Sequence, residues 1–148
     1  MTVAQVQPQT HIIERFKDFY RHLETMPLDD IGQVYDTNIT FRDPIHEIRG
    51  LTHVHQYMTK MCTGVTEGRF EFLDQVVTKD TAYIKWNMYF VHPKFGPKTI
   101  QVRGISHIQF DDKIFYHEDV YDMGEMVYEH VPVLGGFVGW LKKRLGDN

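Results

Sequence analysis

One cysteine, Cys62, stands in 148 residues, so the chain has no internal disulfide and nothing in it demands an oxidising compartment. No apolar run approaches the roughly 20 residues that a membrane-spanning helix needs. Met1 to Thr10 is polar and lacks the basic-then-apolar order of a secretion signal, which makes a cytoplasmic location the expectation. Net charge is −4 with His neutral, so the basic face that phosphate backbones require is missing and nucleic acid is not an expected partner. The glycines at 135, 136 and 139 lie in an apolar tail, without the Lys-Ser or Lys-Thr of a phosphate loop. There is no nucleophile-elbow signal for a Ser-His-Asp hydrolase. No compact pair of His four apart beside a Glu is present either; His53 and His55 fall on different helix faces, and no metal is expected.

What is present is aromatic. Phe, Trp and Tyr make up 14% of the chain, enough to wall a core or a pocket with large flat side chains. The length suits one domain with its own core.

Ile12, Phe16, Phe19, Tyr20 and Leu23 recur at helical steps and predict a first helix. Pro27 stops it or opens the next, whose apolar stripe would be Leu28, Ile31, Val34 and Tyr35. Ile39 to Asp43 reads as a short strand stopped by Pro44, with Ile45 to Arg49 as its hairpin partner. Thr52 would cap a third helix with Val54, Met58 and Met61 on its apolar side. Strands follow over Phe70–Val77, Ala82–Phe90, Ile100–Phe110 and Ile114–Tyr121, the second of these alternating most clearly. Helices gathered ahead of an antiparallel meander predict an α+β fold. Gly124 to Asn148 ends in Phe137, Trp140, Leu141 and Leu145 beside Lys142, Lys143 and Arg144. That segment predicts a short amphipathic helix with a basic end, expected first as a lid or dimer-packing helix. Contact with a membrane surface is the second expectation.

The run Tyr35-Asp36-Thr37-Asn38-Ile39-Thr40-Phe41-Arg42-Asp43-Pro44 resembles a segment of the ketosteroid-isomerase-like (nuclear transport factor 2-like, SnoaL-like) superfamily. There the second helix passes through a Tyr and a polar turn into a short strand ending Asp-Pro. The Gly50-Leu51-Thr52 helix start and the order of elements are similar too. The resemblance implies a cone-shaped, cystatin-like α+β fold: a curved, mostly antiparallel sheet against three helices, open at one end as a pocket. It covers about residues 10–123 of a single SnoaL-like domain, with 124–148 as a helical extension. It also implies a homodimer, whose outer sheet face would present Tyr83, Lys85, Asn87, Tyr89 and Arg103. The family holds isomerases, dehydratases, cyclases and non-catalytic domains, so the fold is implied more firmly than the chemistry.

Carried over residue by residue, the family's proton-shuttling carboxylate falls on Asp43. Its oxyanion-binding Tyr falls by ungapped spacing on Phe19, with Tyr20 adjacent but expected to point elsewhere on the helix, and its second donor falls on Ser106. Losing one such donor costs on the order of 10²–10³ in rate, so steroid isomerisation by that arrangement is not expected.

His117 and Asp119 are two apart on the last strand and share a face, with Tyr121, if that strand is read from its C-terminal end. Ile114, Tyr116 and Val120 are apolar enough for the opposite choice. With the first choice, Asp43 moves a proton, His117 and Asp119 serve as partner acid and orienter, and Trp86, Phe90 and Tyr121 shape the cavity. The expected activity is a cofactor-independent isomerase, dehydratase or cyclase on an apolar small molecule. The rival is a non-catalytic binding or interaction domain, in which Asp43 caps a turn and His117–Asp119 is a structural pair.

Overall fold

The computed structural model describes residues 8–126 and 132–146. The sequence reading of the N-terminus therefore falls largely on residues outside the description. Helix α1, Pro8–Tyr20, buries Ile12, Ile13, Phe16, Phe19 and Tyr20 and exposes Glu14, Arg15 and Asp18; it ends before Leu23, which the spacing includes and which is buried just beyond it.

The expected second helix is shorter and of another kind. It is a 3-10 helix, Leu28–Gln33, and Tyr35 already belongs to strand β1, Tyr35–Arg42. Burial along β1 explains the difference: Tyr35, Ile39 and Phe41 all turn inward from a pleated backbone. A helix continued through Tyr35 would forfeit its pairing with Ile114 of the last strand.

Strand β2, Glu47–Arg49, pairs antiparallel with β1. Helix α2, Leu51–Cys62, then buries Val54 and Met58. It starts before the expected Thr52 cap: Gly50 holds the cap position with φ 92°, a left-handed conformation that glycine adopts without strain.

Strands β3 (Glu67–Val77), β4 (Thr81–Val91), β5 (Ile100–Phe110) and β6 (Ile114–Tyr121) form an antiparallel meander. Strand β6 then pairs in parallel with β1, giving the order β2-β1-β6-β5-β4-β3. A register shift between Phe72 and Asp74 breaks the β3–β4 ladder, and such bulges bend a sheet. The curved sheet packs its inner face (Ile84, Trp86, Val102, Ile108, Phe110) against α1, α2 and the 3-10 helix in one apolar core.

The last strand takes the first of its two facings: His117 is buried, while Phe115 and Val120 stand on the outside. A register shift after Gln109 lets Ile114 be buried on the same strand. Helix α3, Met123–Met126, follows, and α4, Pro132–Gly146, ends the described chain. Lys142 of α4 reaches Asp122 at 2.6 Å. Among the described residues no helix is long and apolar enough to cross a membrane.

Candidate functional site

Between the sheet's inner face, β2 and α2 lies a cavity of about 820 Å³. Phe41, Ile48, Met58, Phe70, Trp86 and Met88 form its apolar wall, with Asp43, Asp119, Tyr20, Tyr57 and Tyr121 set into it. His46, Arg49, His53 and Lys60 stand at its outer side, all exposed. That size and make-up suit a small organic ligand held mainly by apolar contact and oriented by a few polar groups.

Five of the residues expected from sequence meet here: Asp43, Asp119, Tyr20, Trp86 and Tyr121. His117 and Ser106 sit one layer behind, against Asp119 and Trp86. Phe19 and Phe90 are not among the cavity's lining residues. One helical step from Tyr20, Phe19 turns its ring edge-on to Tyr35, 6.2 Å between centres. Phe90 shares Trp86's face but lies four residues along β4, about 13 Å away at strand rise, where it packs on Phe95. Tyr20, expected to point elsewhere, is thus the one of the two that faces the cavity, because ungapped spacing ignores which way the helix faces.

Asp43 is held on every side. The backbone N–H groups of Ile45 and His46 donate to Oδ1 at 2.8 and 2.7 Å, and the Tyr57 hydroxyl donates to Oδ2. His46 Nδ1 lies 3.3 Å from Oδ1. Burial by itself would push this carboxyl's pKa up; the Tyr57 bond, the two amides and His46 together outweigh it and hold the pKa below the ordinary value. A carboxylate so satisfied is a weak proton acceptor and a good brace for the β1–β2 turn.

Asp119 is built differently. Its Oδ1 receives both the Ser106 hydroxyl, at 2.5 Å, and His117 Nε2, at 2.6 Å. Its Oδ2 has no hydrogen-bond partner among the described residues. Ser106 in turn accepts the Trp86 indole N–H at 2.8 Å. Behind His117, Nδ1 meets the Tyr35 hydroxyl at 2.6 Å, and that hydroxyl meets Tyr20's, which also lies 3.9 Å from Met58 Sδ. The links are buried: His117 is 1% and Tyr35 0% exposed.

Two proton arrangements satisfy this chain. With a neutral ring, Tyr20 donates to Tyr35, Tyr35 to Nδ1, and Nε2–H to Asp119. With an imidazolium, every bond beyond the ring reverses and Tyr20 turns to the Met58 sulfur. The chain therefore accommodates either charge state at His117 without an orphaned donor.

Burial, with nearby carboxylates adding to it, raises the phenol pKa of Tyr20, Tyr35, Tyr57 and Tyr121. These phenols stay protonated at neutral pH and so are able to donate. Asp43 and Asp119 both act on Tyr57 and Tyr121, so the two carboxylates share one space. The Tyr121 hydroxyl has no hydrogen-bond partner among the described residues.

The family model of the SnoaL-like domain matches residues 16–117. The chain belongs to the SnoaL-like family. A protein of Shewanella putrefaciens described as a SnoaL-like polyketide cyclase is similar in fold to this SnoaL-like domain, with TM-score 0.70 and 15% identity over 82% of this chain and 95% of that one. An NTF2-like protein of Burkholderia pseudomallei gives 0.72 at 10% identity, over 82% and 96%. TerC, co-crystallised with polyporic acid, gives 0.67 at 12% identity, over 78% and 92%. At such identities these likenesses show the fold alone. No curated protein matches the chain.

Sequence reasoning missed three members of this SnoaL-like site. Tyr57 shares the α2 face of Val54, Met58 and Met61, so the same helical spacing contains it. Tyr35 fits the spacing of a helix stripe, which hides its hydroxyl's part in the chain. Gly104 faces Trp86 across β4–β5, and a Cβ there would stand 2.3 Å from the indole. A glycine inside a strand is the signal for such close approach. Among the described residues no group of three His, Cys, Asp or Glu side chains is placed to hold a metal ion.

Proposed function

We propose that this SnoaL-like domain is a cofactor-independent acid–base enzyme, an isomerase, dehydratase or cyclase, acting on an apolar small molecule held in the cavity. The observation that carries the reading is the cavity-lining Asp119, with one oxygen fixed by Ser106 and His117 and the other unpartnered among the described residues. Asp119 takes the proton-transfer role that the sequence reading places on Asp43, His117 orients it, and Asp43 braces the wall.

In this scheme Asp119 Oδ2 removes a proton from a carbon beside a carbonyl. The C–H electron pair becomes the enolate π bond, and the charge on oxygen accepts a hydrogen bond from Tyr121. Return of the proton from Asp119 to a different carbon completes an isomerisation, with no oxidant or reductant consumed. TerC's crystal with polyporic acid supports a small organic ligand, and the Shewanella protein's description supports cyclase chemistry.

The test is proton exchange. 2-Tetralone, an enolisable bicyclic ketone, is incubated with the protein in D2O and its α-protons followed by NMR. Protein-dependent exchange lost in Asp119→Asn and kept in Asp43→Asn is expected. Binding with no protein-dependent exchange for any enolisable ketone of this size would favour the rival reading, a ligand-binding domain without turnover. Asp43's satisfied hydrogen bonds are the observation in that rival's favour.

The proposal includes a homodimer through the outer sheet face around Tyr83, Lys85, Asn87, Tyr89 and Arg103. Tyr83, Ile105 and Val120, which are 49%, 43% and 59% exposed on neighbouring strands, support it. It also includes a cytoplasmic location, supported by the unpaired thiol of Cys62.

A further inference from the structure

We infer that α4 is an anchor for an anionic lipid surface. Phe137, Trp140, Leu141 and Leu145 recur at steps of three, one and four, so they share one side of the helix. Their exposures are 58%, 54%, 39% and 66%, an apolar strip of a kind that a surface helix ordinarily buries. The Phe137 and Trp140 rings stack with centres 6.2 Å apart.

The charged residues of the helix itself have one sign. Lys142, Lys143 and Arg144 follow the aromatic pair, and no Asp or Glu occurs from 132 to 146, although the chain as a whole carries −4. Arg144's guanidinium lies 5.5 Å from the Trp140 ring centre, so cation and aromatic meet the same surface. Aromatic and aliphatic side chains beside cations are what a helix lying in the plane of a lipid interface presents. A second copy of the chain brings no acidic residue on its own α4 to answer these cations. The helix, about 22 Å long at 1.5 Å per residue, lies on a bilayer and does not span it.

The anchor's place bears on the cavity. Lys142 is tied to Asp122 at 2.6 Å, and Asp122 directly follows the cavity-wall residue Tyr121. A bilayer met by α4 is therefore met beside the pocket, where an apolar molecule dissolved in lipid is at hand. The inference stands without the catalytic reading and is tested apart from it.

The full chain is mixed with vesicles of phosphatidylcholine plus phosphatidylglycerol, and with phosphatidylcholine alone, at low and high salt. The two tryptophans make the fluorescence specific, because Trp86 is already 1% exposed and Trp140 is open. Co-sedimentation with the anionic vesicles and a blue shift of Trp140 emission are expected, both weakened by salt. Lys143→Gln with Arg144→Gln should weaken binding about 30-fold, at the roughly 1 kcal/mol that each cation contributes near an anionic surface. Trp140→Ser should remove the shift. Asp119→Asn should bind vesicles like the wild type, and the Gln pair should leave proton exchange on 2-tetralone unchanged. Absence of binding to anionic vesicles, or equal binding to neutral ones, overturns the inference. So does a blue shift that follows protein concentration without lipid, which would assign α4 to a second copy.

Discussion

Replacing Tyr35 by Phe removes one oxygen and leaves the ring that packs beside Phe19 and His117. That oxygen lies between the Tyr20 hydroxyl and His117 Nδ1, all three buried. Each buried polar group left without a partner costs about 1–3 kcal/mol. Two groups are orphaned here, but Tyr20 keeps its weak contact to the Met58 sulfur at 3.9 Å, so the sum falls near the low end, at about 2–4 kcal/mol. For a domain of this size that corresponds to a Tm lowered by roughly 5–15 °C. Urea unfolding followed by circular dichroism measures it, with Tyr83→Phe on the exposed sheet face as a control expected within about 0.5 kcal/mol of wild type. Adding Tyr20→Phe removes a second orphan, so the double variant should lose less than the sum of the singles, by about 1 kcal/mol. A Tyr35→Phe protein within about 0.5 kcal/mol of wild type would refute the chain, since three such buried groups cannot lose their link without cost.

Asp43's pKa is depressed in the fold, so its stabilisation is complete above the ordinary carboxyl range, around pH 4, and is lost as pH falls through the folded value. The stability gap between wild type and Asp43→Asn, from urea melts, should be widest near neutrality and narrow on acidification. Gly104→Ala drives a Cβ to 2.3 Å from the Trp86 ring; overpacking of about 1–3 kcal/mol and an altered Trp86 near-ultraviolet signal should follow, and an unchanged melt would contradict the packing. Tyr83→Glu places a charge on the proposed dimer face, so analytical ultracentrifugation should show a monomer where the wild type is a dimer.

The meander was legible because its signals are local and redundant. Alternation from Ala82 to Phe90 and the turn at Asp111-Asp112-Lys113 each point to strands, and β5 and β6 begin and end where the sequence puts them. The second helix misled because Leu28, Ile31, Val34 and Tyr35 satisfy helical spacing while Tyr35, Ile39 and Phe41 satisfy strand spacing. A single residue serves both patterns, and only the partner strand decides between them. The facing of β6 was undecidable locally for a related reason: both of its faces are apolar enough, and the choice is made by Ser106 and Tyr35, 11 and 82 residues from His117 in sequence. The candidate site was legible as a set of residues more than as a set of roles. Sequence shows that Asp43 and Asp119 are carboxylates; it does not show that four donor groups converge on one and leave the other half open.

That asymmetry is what separates brace from base in the proposed scheme. Donors on both oxygens of Asp43 stabilise its charged form, so a proton arriving there must displace a bond already made. At Asp119 both donors converge on one oxygen, which leaves the other open for the proton of the proposed scheme while the carboxyl's orientation is kept. The chain behind it adds a second condition. An apolar core could close over this space with Phe at 20 and 35 and an apolar side chain at 117 at no cost in hydrogen bonds, and buried polar groups contribute little net stability over well-packed apolar ones. What hydroxyls at 20 and 35 provide, and rings without them do not, is an orientation of His117 that survives a change in its charge. A structural pair needs one arrangement only; a group that helps a proton come and go needs two, and the geometry from Tyr20 to Asp119 supplies both.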